Sequence, residues 1–203
     1  MMARMQSTNE TDALRARTRA QLVEAIESGA SIPKWLMFWG HQPERDGSIG
    51  KGALSQWWPC SFTVEGTTYT SAEHWMMAGK ARLFEDEEAL GRILAAESPA
   101  QAKHLGRLVR GFDDDRWAAA CFPLVTQGNV AKFGQDPQLR AYLLGTAGRV
   151  LVEASPLDRV WGIGLAATDD RAQDPDRWRG LNLLGFALMA ARARLVVVDG
   201  DRA

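Results

Sequence analysis

Apolar positions along this chain recur mostly with helical spacing, and only a few short runs have the compact or alternating character of strands. Residues 11–28 set Leu14, Leu22 and Ile26 on one stripe and predict a helix that Gly29 stops. Residues 1–10 before it read as a flexible leader. Residues 35–39 predict a short apolar strand, and residues 40–55, with their Gly, Pro and charge, a long mobile loop. Residues 60–64 and 67–70 flank Glu65 and Gly66, a two-residue hairpin signal. An amphipathic helix is predicted over 70–84, followed by helices over 86–97 and 99–110, the latter entered through Ser98 and Pro99. Residues 113–133 are helical in pattern, with a kink expected at Pro123 and an interruption near Gly128. Asp136 and Pro137 open a helix toward Leu144, residues 149–153 form a β run, and residues 181–195 make a strongly apolar last helix before the tail VVVDGDRA. The class this predicts is α+β: one helix-rich domain with a small β-sheet.

A chain of 203 residues can bury a core of its own. The expected division is a leader and N-terminal helix over 1–30, the domain over 31–197 and a tail over 198–203. At 46% hydrophobic and 24% charged residues the composition is that of a globular protein. A net charge of −1 gives no global pull toward nucleic acid, although a local basic groove stays open. Cys60 and Cys121 show neither a disulfide framework nor metal-ligand spacing, which points to a reducing cytoplasm. The N-terminus carries no apolar signal-peptide core, and no apolar run approaches the ~20 residues of a membrane span. Tryptophan, at eight, is in surplus, and a flat indole suits both a core and a stacking surface.

Several familiar sites are missing from the sequence. There is no P-loop, no GxGxxG after a strand and no GxSxG elbow, and His41, His74 and His104 lack metal-ligand spacing. No metal and no cofactor are expected. Chemistry concentrates in four islands at element boundaries: residues 54–59, 69–80, 153–164 and 178–182. In the second, Glu73 and Lys80 lie seven residues apart and so share a helix face. Thr70-x-x-Glu73 also reads as a capping box, which would keep Glu73 ionised beside the helix N-terminus and place proton donation elsewhere. Ser155-x-x-Asp158 repeats the arrangement, so Asp158 is either a second cap or a second presented carboxylate. Lys80 is either a surface lysine or an amine whose pKa falls in a desolvated pocket.

The segments LSQWWPCSFTVEGTTYTSAEHWMMAGKARLF, AKFGQDPQL, EASPLDRVWGIGL and WRGLNLLGFALMAARARL, in this order, resemble the NADAR or YbiA-like family over residues 35–195. The resemblance implies an N-glycosidase, a hydrolase cleaving the bond between a nitrogen and C1 of ribose. It implies ribosylamino-pyrimidine intermediates of riboflavin synthesis or ADP-ribosylated guanine as substrates. On that reading Glu73 and Asp158 position water and stabilise a cationic ribosyl transition state, and Lys80 contacts or attacks C1. Trp161 and Trp178 are candidates to stack on the base, against a core role for both. Gly162 and Gly164 are candidates for close approach to a phosphate. Asn182 is a cap or a ligand to ribose hydroxyls. Trp117 and Lys132 are weaker candidates, set against core packing and a solvated side chain. The partners expected are a nucleotide-like small molecule, an ADP-ribosylated nucleic acid, and a protein docked through the N-terminal helix; no membrane is expected. Two other accounts compete: a non-catalytic NAD or ADP-ribose-binding module, and an antitoxin or defence component that reverses or senses ADP-ribosylation.

Overall fold

The computed structural model describes residues 13–29 and 33–200. The predicted leader over 1–10 and the end of the tail, residues 201–203, lie outside them. The helix predicted over 11–28 is broken. After a single turn at residues 13–15 the chain restarts as α1 (Arg19–Glu27), because the Thr18 side chain accepts the Gln21 N–H and caps a new helix. Leu22 and Ala25 turn inward, and Arg19 Nη1 donates to Trp178 O at 2.8 Å, so α1 packs on the main body.

Strand β1 (Lys34–Phe38) stops one residue short of the predicted run. It pairs in parallel with β4 (Arg149–Glu153), Lys34 facing Arg149 and Phe38 facing Glu153. Most of the helices lie between these two strands in sequence. β2 (Phe62–Val64) and β3 (Thr67–Tyr69) form the expected hairpin. Glu65 and Gly66 both take positive φ, at 50° and 78°, as a tight two-residue connection of this hand demands. Residues 40–55 are not loop throughout: Lys51–Leu54 form a 3-10 turn, and Ala53 and Leu54 are fully buried.

The helices are α2 (Ala72–Leu83), α3 (Glu87–Leu94), α4 (Pro99–Gly106), α5 (Asp114–Gln135), α6 (Pro137–Leu144) and α7 (Leu183–Gly200). The Ser98 and Asp136 caps stand where the sequence puts them, each side chain accepting a first-turn N–H ahead of a proline. α2 sits at the centre against α3, α4 and α5, while α7 packs across α5 and β4. The interruption expected near Gly128 does not occur: α5 is continuous over 22 residues. Gly128 is instead a packing device, since a Cβ there would strike the Trp75 indole of α2. That closeness lets Trp75 Nε1 donate to Leu124 O at 2.8 Å. α7 runs on through the first part of the predicted tail. Among the described residues no helix is long and apolar enough to cross a membrane, and no His/Cys/Asp/Glu group is arranged to hold a metal ion.

Candidate active site

A cleft of about 920 Å3 opens between α2, α4, the turn at residues 55–57 and the loop that follows β4. Its floor begins at Glu73, and the capping box expected there is displaced by one residue. Ser71, not Thr70, caps α2: its Oγ accepts the His74 N–H. His74 Nε2 donates to Ala96 O at 3.1 Å, which leaves Nδ1 to accept the Ser71 hydroxyl at 2.7 Å. With the cap satisfied by its neighbours, the Glu73 side chain is free to face the cleft. It is 2% exposed, and its Oε1 has no hydrogen-bond partner.

Burial pushes the Glu73 carboxyl up to about 7. Lys103, the neighbouring Trp57 side chain and Arg107 pull the other way, while Asp158 adds to the rise. This corrects the expectation of a fixed, ionised Glu73. The desolvation of the whole cleft outweighs the helix N-terminus, which contributes only ~0.3–1 kcal/mol when exposed.

Glu153, at the C-terminal end of β4, is the residue the sequence analysis missed. It lines the cleft, its Oε2 is buried without a partner, and burial pushes its carboxyl up to about 8. Asp158 and Glu73 raise it further, and Lys103 opposes them. The available signal was a lone acid closing the run RVLVE, at the carboxyl end of a parallel strand where ligands collect. Asn182 holds this residue in place. Its Oδ1 accepts Glu153 N–H at 2.9 Å and its Nδ2 donates to Leu151 O at 3.0 Å. Asn182 is fully buried with φ at 56°, so it orients Glu153 from behind and does not reach a ribose in the cleft.

Asp158 lines the cleft wall. No helix follows Ser155; instead Asp158 N donates to Ser155 Oγ at 3.2 Å, and Asp158 Oδ1 accepts Val160 N and Trp161 N at 2.9 and 2.7 Å. Both readings of Asp158 therefore meet in one residue, a loop cap whose carboxylate borders the pocket. It aims Trp161, which also lines the cleft. Lys80 and Trp117 also line the cleft. The Lys80 ammonium group lies 4.0 Å from the Phe112 ring centroid and 5.7 Å from that of Trp117. Burial draws the Lys80 pKa down; Asp114 acts against this, as does the attraction of a cation to ring faces.

The other candidates stand behind the cleft. Trp178 is 3% exposed, donates through Nε1 to Ala172 O at 2.9 Å and meets Trp35 edge-on, so it is a core residue. Gly162 is buried where a Cβ would press on Glu153 O and Asp158 O, and Gly164 takes φ of 67°. Both glycines serve the tight packing of the loop and neither lines the pocket. Lys132 is neither solvated nor in the cleft. The cleft gains residues as well: Trp57, Met76 and Met77, and the cations Lys103 and Arg107. The last two are four apart, Lys103 on α4 and Arg107 at its C-cap, and so share one face, a spacing visible in the predicted helix.

An α+β domain with a ligand-sized cleft, in which proton-holding carboxyl groups face cations across aromatic walls, is a small-molecule site built for acid–base work. The chain belongs to the NADAR domain family, whose model matches residues 37–196. It is 40% identical to N-glycosidase R617 of Acanthamoeba polyphaga mimivirus, a match covering 78% of this chain and 95% of that one. It is 32% identical to N-glycosidase YbiA of Escherichia coli, over 69% of this chain and 78% of that one. Against riboflavin biosynthesis protein VVA0006 of Vibrio vulnificus the identity is 33%, over 71% of this chain but 35% of the relative. The NMR structure of E. coli YbiA superposes with a TM-score of 0.63 at 26% identity, covering 84% of this chain and 89% of that one.

Proposed function

We propose that this chain is a cytoplasmic, metal-independent N-glycosidase that hydrolyses the bond between a base nitrogen and C1 of a phosphorylated ribosyl group. The observation that carries the reading is the pair Glu73 and Glu153, buried in one cleft with unpartnered oxygens and carboxyl pKa values near neutrality. A pure binding module gains nothing from two such groups, because an unpaired buried polar atom costs ~1–3 kcal/mol. A hydrolase gains a proton donor and a proton acceptor that both work near pH 7.

Glu153, with the higher pKa, protonates the leaving nitrogen. Glu73 in its ionised form stabilises the positive charge that develops on the ribosyl ring, and it becomes neutral as it takes the proton of the incoming water. The C–N bond breaks with its electron pair going to nitrogen, a C–O bond forms at C1, and the products are a free base and a ribose with an anomeric hydroxyl. Trp161 offers a face to the base, and Lys103 with Arg107 takes the phosphate. Lys80 has a lowered pKa and borders the same space, which suits attack on C1 through a Schiff base as a route to the same products. The names of the relatives favour a ribosylamino-pyrimidine phosphate of riboflavin synthesis. An ADP-ribosylated guanine has the same ribosyl–nitrogen bond and two phosphates.

Mass spectrometry of both substrate classes, incubated with wild type and Glu73→Gln, tests the proposal. Release of a free base by wild type, reduced at least ~100-fold in the variant, is expected. Tight binding with no base released from either substrate class overturns it.

A further inference from the structure

Lys132 is a lysine of α5 buried in the body of the protein, 1% exposed and outside the cleft lining. Burial lowers its pKa only to about 8, so the amine is largely a cation at neutral pH. Among the described residues no carboxylate forms an ion pair with it. Its compensation is of another kind. Nζ donates to Ala53 O at 2.7 Å and to Ser55 O at 2.8 Å, and it lies 4.8 Å from the Phe133 ring centroid. An ammonium group has three N–H directions, and this set occupies them with two carbonyls and a ring face. Such an arrangement is costly to build unless the two carbonyls need to be held.

What those carbonyls hold is the turn that enters the cleft. Ser55 is its hinge point: its carbonyl is fixed by Lys132, and its Oγ accepts the Trp57 N–H at 3.1 Å. From the same face of α5, Asn129 Nδ2 donates to Gln56 Oε1 at 3.2 Å. Gln56 O in turn accepts the Glu73 N–H at 2.9 Å. Beyond it the Trp57 side chain lines the same cleft as Glu73 and favours the ionised form of its carboxyl.

We infer that Lys132 is a positioning residue: from α5 it clamps the turn at residues 51–57 so that the Trp57 indole is presented to Glu73. The clamp acts on proton affinity through Trp57, whose indole N–H favours the ionised carboxylate. The other charges facing Glu73 are Lys103 from α4 and Arg107 at its C-cap, and Glu153 and Asp158 from β4 and its following loop. The groups facing Lys132 itself include the Cys60 thiol, whose own pKa burial pushes up. The consequence for catalysis rests on the N-glycosidase reading, whereas the structural claim does not.

The test is a direct titration of the Glu73 carboxyl by carbon NMR of glutamate-labelled protein, with the resonance assigned from its loss in Glu73→Gln. Removing the indole N–H by Trp57→Phe is expected to raise the titration midpoint by about one pH unit. Lys132→Met, close in length but without donors, is expected to raise it in the same direction. Lys132→Gln keeps a donor and provides a milder variant if the methionine form does not fold. In the Trp57→Phe background either Lys132 substitution is expected to add nothing, because the route is already cut. Folded Lys132 variants that leave the midpoint unmoved overturn the proposal. So do Lys132 and Trp57 shifts that add in full, which would show a direct effect of the lysine charge. A merely structural lysine would lower the melting temperature and leave the midpoint alone. A shifted midpoint in a protein that cleaves no ribosyl substrate would sustain the clamp and reject the function.

Discussion

Glu73 combines a cost in stability with the catalytic role proposed for it. Its carboxyl, ordinarily near 4.5, is raised to about 7 in the folded state by burial. Between those values the native protein binds more protons than the unfolded chain, so stability falls as pH rises through the window. Above the native pKa the whole cost of an ionised buried acid is carried. Glu73→Gln removes that charge, and the variant is expected to be more stable than wild type at pH 8 by ~1–3 kcal/mol. The advantage should disappear near pH 5, where both side chains are neutral. Urea unfolding at the two pH values measures it. A variant less stable than wild type at pH 8 would mean that Lys103 and Arg107 more than offset the burial. Asp86 has the opposite sign: Arg110 bonds and N–H donors hold its carboxyl well below the usual range, so its contribution is present at neutral pH and lost only in strong acid.

Helix α4 contributes to the site as an element, not residue by residue. Four positions separate Lys103 from Arg107, so both cations reach the cleft while Ala102 and Leu105 go to the core. Removing either is expected to raise KM for a phosphorylated substrate about 10-fold or more, the worth of a charge-assisted hydrogen bond. Steady-state kinetics with the dephosphorylated substrate should change little. An equal loss on both substrates would show that the cations act on the carboxyl groups and not on phosphate. Helix α5 works in a similar way on two sides. Gly128 admits the Trp75 indole of α2, while Asn129 and Lys132 fix the turn that carries Gln56 and Trp57. Both contacts require the helix to continue through Gly128, a position whose glycine reads locally as a break.

On the scale of the molecule, α1 lies outside the matched family region, yet it is joined to the core by Leu22, Ala25 and the Arg19 contact to Trp178. Removal of residues 1–28 is expected to cost ~3–5 kcal/mol of buried apolar contact, a fall in melting temperature of about 6–20 °C. Among the described residues of that segment, 13–28, none lines the cleft. The truncated protein, assayed well below its melting point, should therefore keep its kcat/KM. Loss of activity in a folded truncation would place the N-terminal segment in the site. Much of the fold was legible in the sequence: the helix-rich α+β class, the Glu65-Gly66 hairpin, the caps at Ser98 and Asp136, and the segments that build the cleft. These are consequences of periodicity and of hydrogen bonds spanning a few residues, which any stretch of chain carries within itself. Glu73, Lys80, Asp158, Trp161 and Trp117 were visible as polar or aromatic residues at element boundaries, and the structure brings them to one pocket. The protonation of Glu73, the place of Glu153, and the retreat of Trp178, Asn182, Gly162 and Gly164 from the pocket were decided only by the tertiary structure. Each depends on what burial brings next to a residue from far along the chain. Glu153 reaches the cleft because β4 pairs with β1, and the Glu73 carboxyl is pushed up to about 7 because the assembled cleft buries it. Desolvation belongs to the assembled cleft, and no short stretch of sequence contains it.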